Sequence, residues 1–235
     1  METEVIWRCS RAAVIELDDG GYFTTKDTWE LFVNEEARGT TDRVETYVDG
    51  LLPGTRNVVK FVCGARELTV GVTTPAETFT IDVRDCGARG DAEHDDTTNI
   101  QAALMACPEG GRVLVPAGSY KVKSLFLKSG IDIELAEGAC LLARHDRAAL
   151  AYIPGTLEGG EGFGYHQSGL APMGRWEGES FSTYCSTFTG LGVRDVNIYG
   201  RGAIDGQTDF AEDNWWNKDF KNIFRPEEGR EIARP

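Results

Sequence analysis

Residues 113–142 read VLVPAGSYKVKSLFLKSGIDIELAEGACLL. Short apolar segments recur in this stretch with tight turns between them: Val113-Leu-Val115, Tyr120-Lys-Val122, Leu125-Phe-Leu127, Ile131-Asp-Ile-Glu-Leu135 and Cys140-Leu-Leu142. No helical segment separates these strands, so a βαβ array is excluded. The pattern predicts a β-solenoid, in which each coil buries its inward face only by stacking on its neighbours.

An internal repeat supports this prediction. Ile131-x-Ile133 followed by Gly138-Ala139-x-Leu141 is matched about 65 residues later by Val196-x-Ile198 and Gly202-Ala203-Ile204. We expect the two segments to lie on stacked coils, with the glycines at tight corners. The glycine-rich residues 152–192 interrupt the pattern, and we expect them to be a structureless stretch, either a functional loop or a disordered one.

One helix is predicted, between Asp95 and Cys107. Its apolar residues share one face at spacings of three and four; they are Ile100, Ala103, Leu104 and Cys107. Asp95 or Asp96 stands at the N-cap position, where a carboxylate satisfies free backbone N–H groups. We therefore interpret this acidic pair as structural and not catalytic. The helix is expected to plug the first coil and to cover its open edge.

The residues before this region show a different pattern. Four segments with alternating apolar residues are separated by turns rich in Gly, Asp and Thr: Val14–Leu17, Trp29–Val33, Val58–Val62 and Leu68–Val72. Period-2 alternation with frequent turns predicts a small antiparallel β-sandwich. The composition changes near Thr73–Thr78, so we divide the chain into residues 1–77 and 78–235.

Composition excludes several classes of function. The formal net charge is −14 over 235 residues, which disfavours nucleic acid as a partner because phosphate binding needs a basic face. A polyanionic substrate would need a locally basic cleft. No apolar run is long enough to span a membrane, and residues 1–7 lack the features of a signal peptide, so the sequence predicts a cytoplasmic location.

The cysteines and histidines carry no metal signal. The six cysteines are scattered without a CxxC pair, and we expect them to be small buried hydrophobes with free thiols. His94, His145 and His166 lack ligand-like spacing. No metal and no cofactor is predicted.

Several ordered segments resemble a known family. These are residues 79–91 (FTIDVRDCGARGD), 94–103 (HDDTTNIQAA), 107–120 (CPEGGRVLVPAGSY), Leu125–Ser129, Gly200–Gly206 and Trp215-Trp216. Together they resemble family 28 glycoside hydrolases, the polygalacturonase-like proteins, over Phe79–Pro235. The resemblance implies an all-β chain: a small antiparallel β-sandwich followed by the first coils of a right-handed parallel β-helix with an N-terminal capping helix.

The first module resembles fibronectin type III domains, which precede the β-helix in some bacterial family members. The resemblance rests on Tyr47-Val-Asp-Gly-Leu-Leu-Pro-Gly-Thr55. Those domains usually place a hydrogen-bonded tyrosine shortly after such a segment, and Asn57 stands near that position here. A packing or spacer role for this module is favoured over sugar binding.

The resemblance implies inverting, exo-acting hydrolysis of α-1,4-galacturonosyl bonds in pectic poly- or oligosaccharides. Inversion needs two sets of carboxyl groups, roughly 6.5–9.5 Å apart, on opposite faces of the sugar. The family takes them from an Asn-Thr-Asp segment and an Asp-Asp pair, and holds substrate with His-Gly and Arg-Ile-Lys segments. None of these occurs at the matching place before Pro235. We therefore expect the catalytic residues after Pro235, and a 235-residue chain that is inactive and self-associates.

Within this chain, Arg175 and Trp176 are the candidate substrate-binding residues, because arginine pairs with carboxylates and tryptophan stacks on sugar rings. For Trp215 and Trp216, packing between loops is favoured over stacking on a sugar. The alternative function is a non-catalytic carbohydrate-binding or tailspike-like β-helix. A lyase on the same fold would need a calcium site and a basic residue further along the chain.

Overall fold

The first module is a sandwich of two antiparallel sheets. Its strands are β1 (Glu2–Arg8), β2 (Ala13–Asp18), β3 (Thr24–Val33), β4 (Glu36–Arg43), β5 (Glu45–Val48), β6 (Arg56–Cys63) and β7 (Arg66–Thr73). One sheet has the order β1-β2-β5 and the other β4-β3-β6-β7. Inward residues such as Ile15, Trp29 and Phe61 form one buried core. The predicted antiparallel sandwich is confirmed; the fibronectin type III resemblance and the division at residue 77 stay predictions.

This computed structural model describes residues 2–144, 150–153, 156–158, 170–172, 175–176, 179–180, 182–207 and 231–232. No helix in those ranges is long and apolar enough to cross a membrane.

Asn57 fixes a corner of the sandwich. Its side chain is fully buried. The amide oxygen accepts the Leu52 N–H at 2.8 Å and the Asn34 side-chain N–H at 2.9 Å. The amide nitrogen donates to the Leu52 carbonyl at 3.0 Å and to the Thr55 carbonyl at 3.4 Å. Asn57 therefore ties down the turn that leads into β6.

The second module is built from coils of parallel strands. The first sheet contains β8 (Thr80–Asp82), β10 (Gly111–Val115), β13 (Ile131–Leu135) and β22 (Val196–Gly200); the second contains β9 (Asp91–Asp95), β11 (Gly118–Val122), β14 (Ala139–Ala143) and β23 (Ala203–Asp205); the third pairs β12 (Leu125–Phe126) with β21 (Phe188–Thr189). Each new coil adds one strand to the edge of the first sheet and one to the edge of the second. This is the predicted β-helix.

The register of the stack explains the repeat seen in the sequence. Ile131 pairs with Val196, and Ile133 with Ile198. Apolar residues of successive coils thus form inward ladders, such as Val113–Ile133–Ile198. Val113 and Ile133 are buried, whereas Ile198 on the last described coil is 40% exposed. A coil becomes buried only when another stacks on it.

The predicted helix occupies the first coil as α1 (Thr97–Ala106). Ile100, Ala103 and Leu104 are buried in the β-helix core. Beside this buried face, the Gln101 side chain donates to the Phe126 carbonyl at 2.9 Å and accepts the Phe126 N–H at 2.7 Å. This side-chain amide therefore binds the backbone N–H and carbonyl of Phe126, which a neighbouring strand would otherwise bind. The expected role of the helix as a cover over the open edge of the first coil is confirmed.

The sandwich packs on the outward face of the first sheet. Ser10 donates its N–H and its hydroxyl to Asp132, at 3.1 and 2.8 Å. Trp7 Nε1 donates to Asn197 at 3.1 Å, and Asn197 in turn donates to Asp132 at 2.7 Å. Cys9, Ala12 and Tyr199 form a small apolar cluster beside these bonds. The contact covers the first sheet and leaves the second sheet for the candidate site.

A buried carboxylate joins the two modules near their connection. Glu77 accepts two hydrogen bonds from Arg11, at 2.8 and 2.9 Å, and lies 3.4 Å from Arg112 of β10. Burial alone would raise the pKa of Glu77, but the bonds from Arg11 and Thr80 and the charge of Arg112 outweigh it and lower the pKa. A bidentate pair of this kind holds both position and angle.

The expectation that residues 152–192 lack structure is wrong for those residues of the segment that the structure describes. They contain β15 (Tyr152–Ile153), β16 (Thr156–Glu158), β17 (Leu170–Pro172), β18 (Arg175–Trp176), β19 (Glu179–Ser180) and β20 (Ser182–Tyr184), and β24 (Glu231–Ile232) pairs with β20. The first six pair with one another as antiparallel ladders. Glycine content predicted loops but did not show which short segments pair.

Replacing Asn57 with Ala should destabilise the sandwich by about 2–4 kcal/mol, because the backbone groups of Leu52 lose their buried partner. Urea unfolding of the chain measures the change in free energy. Thr69→Ala, an exposed residue of the same sheet, is the control and should change stability by less than about 0.5 kcal/mol. Equal stability of the two variants would contradict the corner role.

Candidate functional site

An open cleft lies over the outward face of the second sheet. It has a volume of about 350 Å³ and is lined by Glu93, Asp95, Lys121, Leu142, Ala143, Arg144 and Gln207. Parallel register builds it: Asp95 of β9 stands beside Lys121 of β11, Lys121 beside Leu142 of β14, and Leu142 beside Asp205 of β23. Residues distant in sequence therefore form one continuous row, of a size that suits small ligands.

Asp95 is the hub of the charged groups in the cleft. Its carboxylate lies 3.1 Å from Lys123 Nζ and 2.8 Å from Arg144 Nη1. It also accepts the Thr97 N–H at 3.1 Å and the Thr97 hydroxyl at 2.5 Å. Burial raises its pKa, but the bonds from Thr97 and Lys123 dominate and lower the pKa to about 2. Asp95 is therefore ionised near neutral pH and cannot act there as a general acid.

Asp96 serves the backbone of the preceding turn. Its side chain is buried and accepts the N–H groups of Arg89 at 2.7 Å and Gly90 at 3.0 Å. It stands at the N-cap position of α1 but makes no side-chain cap bond. The expected capping role is thus corrected: Asp95 binds the Thr97 N–H, and Asp96 holds the turn before β9.

Two charged groups of the cleft are free of ion pairs. Among the described residues, no carboxylate oxygen lies within 4.0 Å of Lys121 Nζ, and no cationic nitrogen lies within 4.0 Å of the Glu93 carboxylate. Lys123, by contrast, is committed to Asp95. Lys121 is therefore the residue in this cleft best placed to bind an anionic group of a ligand.

A second polar cluster lies beside Glu93. His94 Nδ1 contacts the Asp91 carboxylate at 2.6 Å, and His94 Nε2 contacts Arg89 at 2.5 Å. Backbone N–H groups of His94 and Glu93 bind Asp91 and lower its pKa, and the His94 ring adds to the effect. Both ring nitrogens of His94 are occupied, so the cluster stabilises the β9 turn and has no free group for proton transfer.

The candidate residues Arg175 and Trp176 form strand β18 and pair with Ser180 and Glu179. Their side chains lie outside the described residues, so their substrate-binding role stays a prediction. Trp215, Trp216, His145 and His166 also lie outside them. All six cysteines are free thiols, and in the described ranges no three or more His, Cys, Asp or Glu side chains form a metal-binding group.

Sequence reasoning missed the cleft. The alternation Tyr120-Lys-Val-Lys123 signals that Lys121 and Lys123 face outward while Tyr120 and Val122 face the core. The contacts that Asp95 makes with Lys123 and Arg144 depend on the coil register, which the local sequence does not give.

Asp95→Asn should lower the free energy of unfolding by about 1–2 kcal/mol at pH 6, after allowing for solvent screening of the partly exposed pairs. The native pKa of Asp95 is depressed, so its contribution is complete above the unfolded value near 4 and is lost as the pH falls towards about 2. Denaturant unfolding at pH 6 and pH 2 measures this.

The difference in the free energy of unfolding between the parent chain and Asp95→Asn should therefore become smaller at low pH. Asp42→Asn is the control, since Asp42 is exposed and its ion pair is to the adjacent Arg43 at 3.7 Å. A loss of stability in Asp95→Asn that stays the same at both pH values would contradict the electrostatic role.

Comparison with known proteins agrees with this architecture. Residues 80–134 match the family model described as rhamnogalacturonase A/epimerase, pectate lyase-like. An exo-poly-alpha-D-galacturonosidase of Dickeya chrysanthemi is 42% identical over 80 residues, which are 34% of this chain and 13% of that protein. Plasmin and fibronectin-binding protein A of Streptococcus pneumoniae is 44% identical over 70 residues, 28% of this chain and 10% of that protein.

The solved structures give the same result for the fold. The structure of a Yersinia enterocolitica family 28 exopolygalacturonase matches 88% of this chain with a TM-score of 0.56 and 20% sequence identity. This chain covers 41% of that structure, and the matched segments are a small part of the curated relatives. The similarity to the polygalacturonase-like glycoside hydrolases of family 28, predicted from the sequence, is therefore confirmed, and the shared fold is a β-helix.

Proposed function

We propose that the protein hydrolyses α-1,4-galacturonosyl bonds of pectic poly- or oligosaccharides, with inversion and from chain ends. The observation that carries the proposal is the 42% identity to an exo-poly-alpha-D-galacturonosidase over 80 residues, together with the pectate-lyase-like match of residues 80–134. Two further observations support it: an ordered set of family segments in the sequence, and a cleft on the second sheet in which Lys121 forms no ion pair with a described residue.

In this proposal the catalytic carboxyl groups lie beyond Pro235. Inversion needs one carboxyl group that protonates the leaving oxygen and another that activates water on the opposite face. Asp95 does not fit the acid, because its pKa is lowered to about 2. Asp96 does not fit the base, because its oxygens hold the backbone of Arg89 and Gly90. The described residues supply binding groups and a scaffold.

The cleft is assigned to the carboxylate of a galacturonate unit. The chain carries a net charge of −14, so a polyanionic substrate needs a local cation for favourable encounter. Lys121 provides it, and Arg144 reaches the same cleft from the next coil while it bonds to Asp95. Arg175 and Trp176, on the inserted segment, are proposed to close one end of the substrate path and so to favour exo action.

The second candidate function is non-catalytic carbohydrate binding by a tailspike-like β-helix. The observation that favours a binding role over hydrolysis is the 44% identity over 70 residues to a protein whose name states binding, of plasmin and fibronectin, and no enzymatic activity. The two functions require different residues on the coils after Pro235: an Asn-Thr-Asp segment and an Asp-Asp pair there favour the hydrolase, and their absence favours the binding protein.

The 235-residue chain should release no reducing sugar from polygalacturonate above a heat-inactivated blank, because the proposal places the catalytic acid and base beyond Pro235. A reducing-end assay over several hours measures this. Release that disappears on Glu93→Gln or Asp95→Asn would contradict the assignment, since it would place catalytic carboxylates in the described cleft.

Lys121→Met should weaken binding of trigalacturonate to the chain by about two- to fivefold, because an exposed charge pair contributes about 0.5–1 kcal/mol. Titration followed by NMR shifts or calorimetry measures the dissociation constant. Lys128→Met is the matched control; Lys128 is also half-buried but donates to the Met105 carbonyl, away from the cleft. Equal affinity of both variants would reject the cleft as the binding site.

A further inference from the structure

Two aromatic rings protrude from the sandwich. Tyr22 and Phe23, in the loop between β2 and β3, are 87% and 73% exposed. Their ring centroids are 4.6 Å apart and their planes meet at 83°, an edge-to-face contact. Aromatic side chains of this size usually bury most of their surface in a folded domain. Two adjacent rings in solvent form an apolar patch with no role in the core.

The loop that carries the rings is held by hydrogen bonds. Asp18 accepts the Gly20 N–H at 3.0 Å. Asp19 accepts the Gly21 N–H at 2.9 Å and the Lys26 N–H at 2.6 Å. The Phe23 carbonyl accepts the Val44 N–H at 3.1 Å. The backbone beneath the rings is therefore ordered before any ligand arrives, which lowers the entropic cost of binding.

The rings are remote from the contact with the β-helix. That contact uses the turn before β2, where Ser10 bonds to Asp132. The aromatic loop comes after the other end of β2, which spans Ala13–Asp18. Six residues of extended strand cover about 20 Å. Packing of the two modules therefore leaves the rings free, and places them on the far end of the sandwich.

We propose that Tyr22 and Phe23 form a carbohydrate-binding site for a neutral polysaccharide of pyranose units. The C–H face of a pyranose ring is apolar and flat, and it stacks on exposed aromatic rings, while its hydroxyl groups remain in water. An edge-to-face pair offers two such surfaces at an angle, which suits consecutive units of a twisted glycan chain.

The charges around the loop select the ligand. Lys26 Nζ donates to the Asp19 carbonyl at 2.8 Å, and Arg43 pairs with Asp42 at 3.7 Å. With Asp18, Asp19 and Asp42 in the same segments, three carboxylates stand against these two cations. This negative balance disfavours polygalacturonate, anionic lipid surfaces and a second copy of a chain with a net charge of −14.

The site is separate from the cleft on the second sheet and does not depend on the proposed hydrolysis. For the proposed hydrolase, attachment to a neutral polymer would raise the effective concentration of the cleft near pectic chains mixed with that polymer. The sandwich would then have two uses at its two ends: packing on the β-helix at one and attachment at the other.

The test uses the 235-residue chain with two neutral probes, cellulose and β-1,4-galactan, and with polygalacturonate and phosphatidylserine vesicles as further arms. Sedimentation and affinity electrophoresis measure retention. The Tyr22→Ala/Phe23→Ala double variant should bind the neutral probe at least tenfold more weakly, while Tyr22→Phe keeps the affinity. Leu52→Ala is the control: Leu52 is apolar and 57% exposed, and lies at the other end of the sandwich.

The double variant should keep the far-UV spectrum and unfolding midpoint of the parent, since neither ring contributes to the core. Retention on at least one neutral probe that the double variant loses and Leu52→Ala keeps supports the site. The proposal is overturned if neither neutral probe retains the parent, or if the double variant binds equally well. It is also overturned if the rings govern only vesicle binding or dimer formation in sedimentation velocity.

Discussion

Stacking of inward apolar side chains in register is the constraint on which the second module depends. Val113, Ile133 and Ile198 occupy the same position on successive coils, and so do Tyr120, Leu141 and Ile204. A single coil of this size cannot enclose a core, so every coil is stabilised by the coil on each side of it. The same register sets the outer surface, because an inward ladder fixes which residues stand beside one another outside.

The outer faces of the first and second sheets have different surroundings. The first sheet receives the sandwich through Asp132, Glu77 and their partners, whereas the second sheet presents the open cleft. Polar residues dominate both faces. Those of the first sheet contact the sandwich, whereas those of the second include Lys121 and Glu93, which form no ion pair with any residue that the structure describes. Residue type alone did not distinguish them, since both faces read as the polar half of an alternating strand.

The sequence was sufficient for the elements whose signal is local. Period-2 alternation predicted the sandwich, and short apolar segments joined by tight turns predicted the β-helix. The i, i+3, i+4 pattern predicted α1, and the repeat from Ile131 to Val196 predicted stacked coils. It was insufficient where partners come from other coils. Asp96 has the residue type and position of an N-cap, yet the Arg89 and Gly90 N–H groups take its oxygens. Lys123 and Arg144 bond to Asp95, and Lys121 stands beside it, only because of the register, so the cleft could not be predicted.

The contact between the modules joins residues that are far apart along the chain. Trp7 bonds to Asn197 across 190 residues, and Arg201 to Asp49 across 152. During synthesis at about 5–20 residues per second, roughly 10–40 s separate the emergence of Trp7 from that of Asn197. The sandwich can fold early, from local antiparallel hairpins, but its docking surface on β22 does not yet exist. The nascent sandwich must therefore remain soluble while Trp7 and Ala12 are uncovered. It can dock only after the fourth coil, which carries β22, has been made.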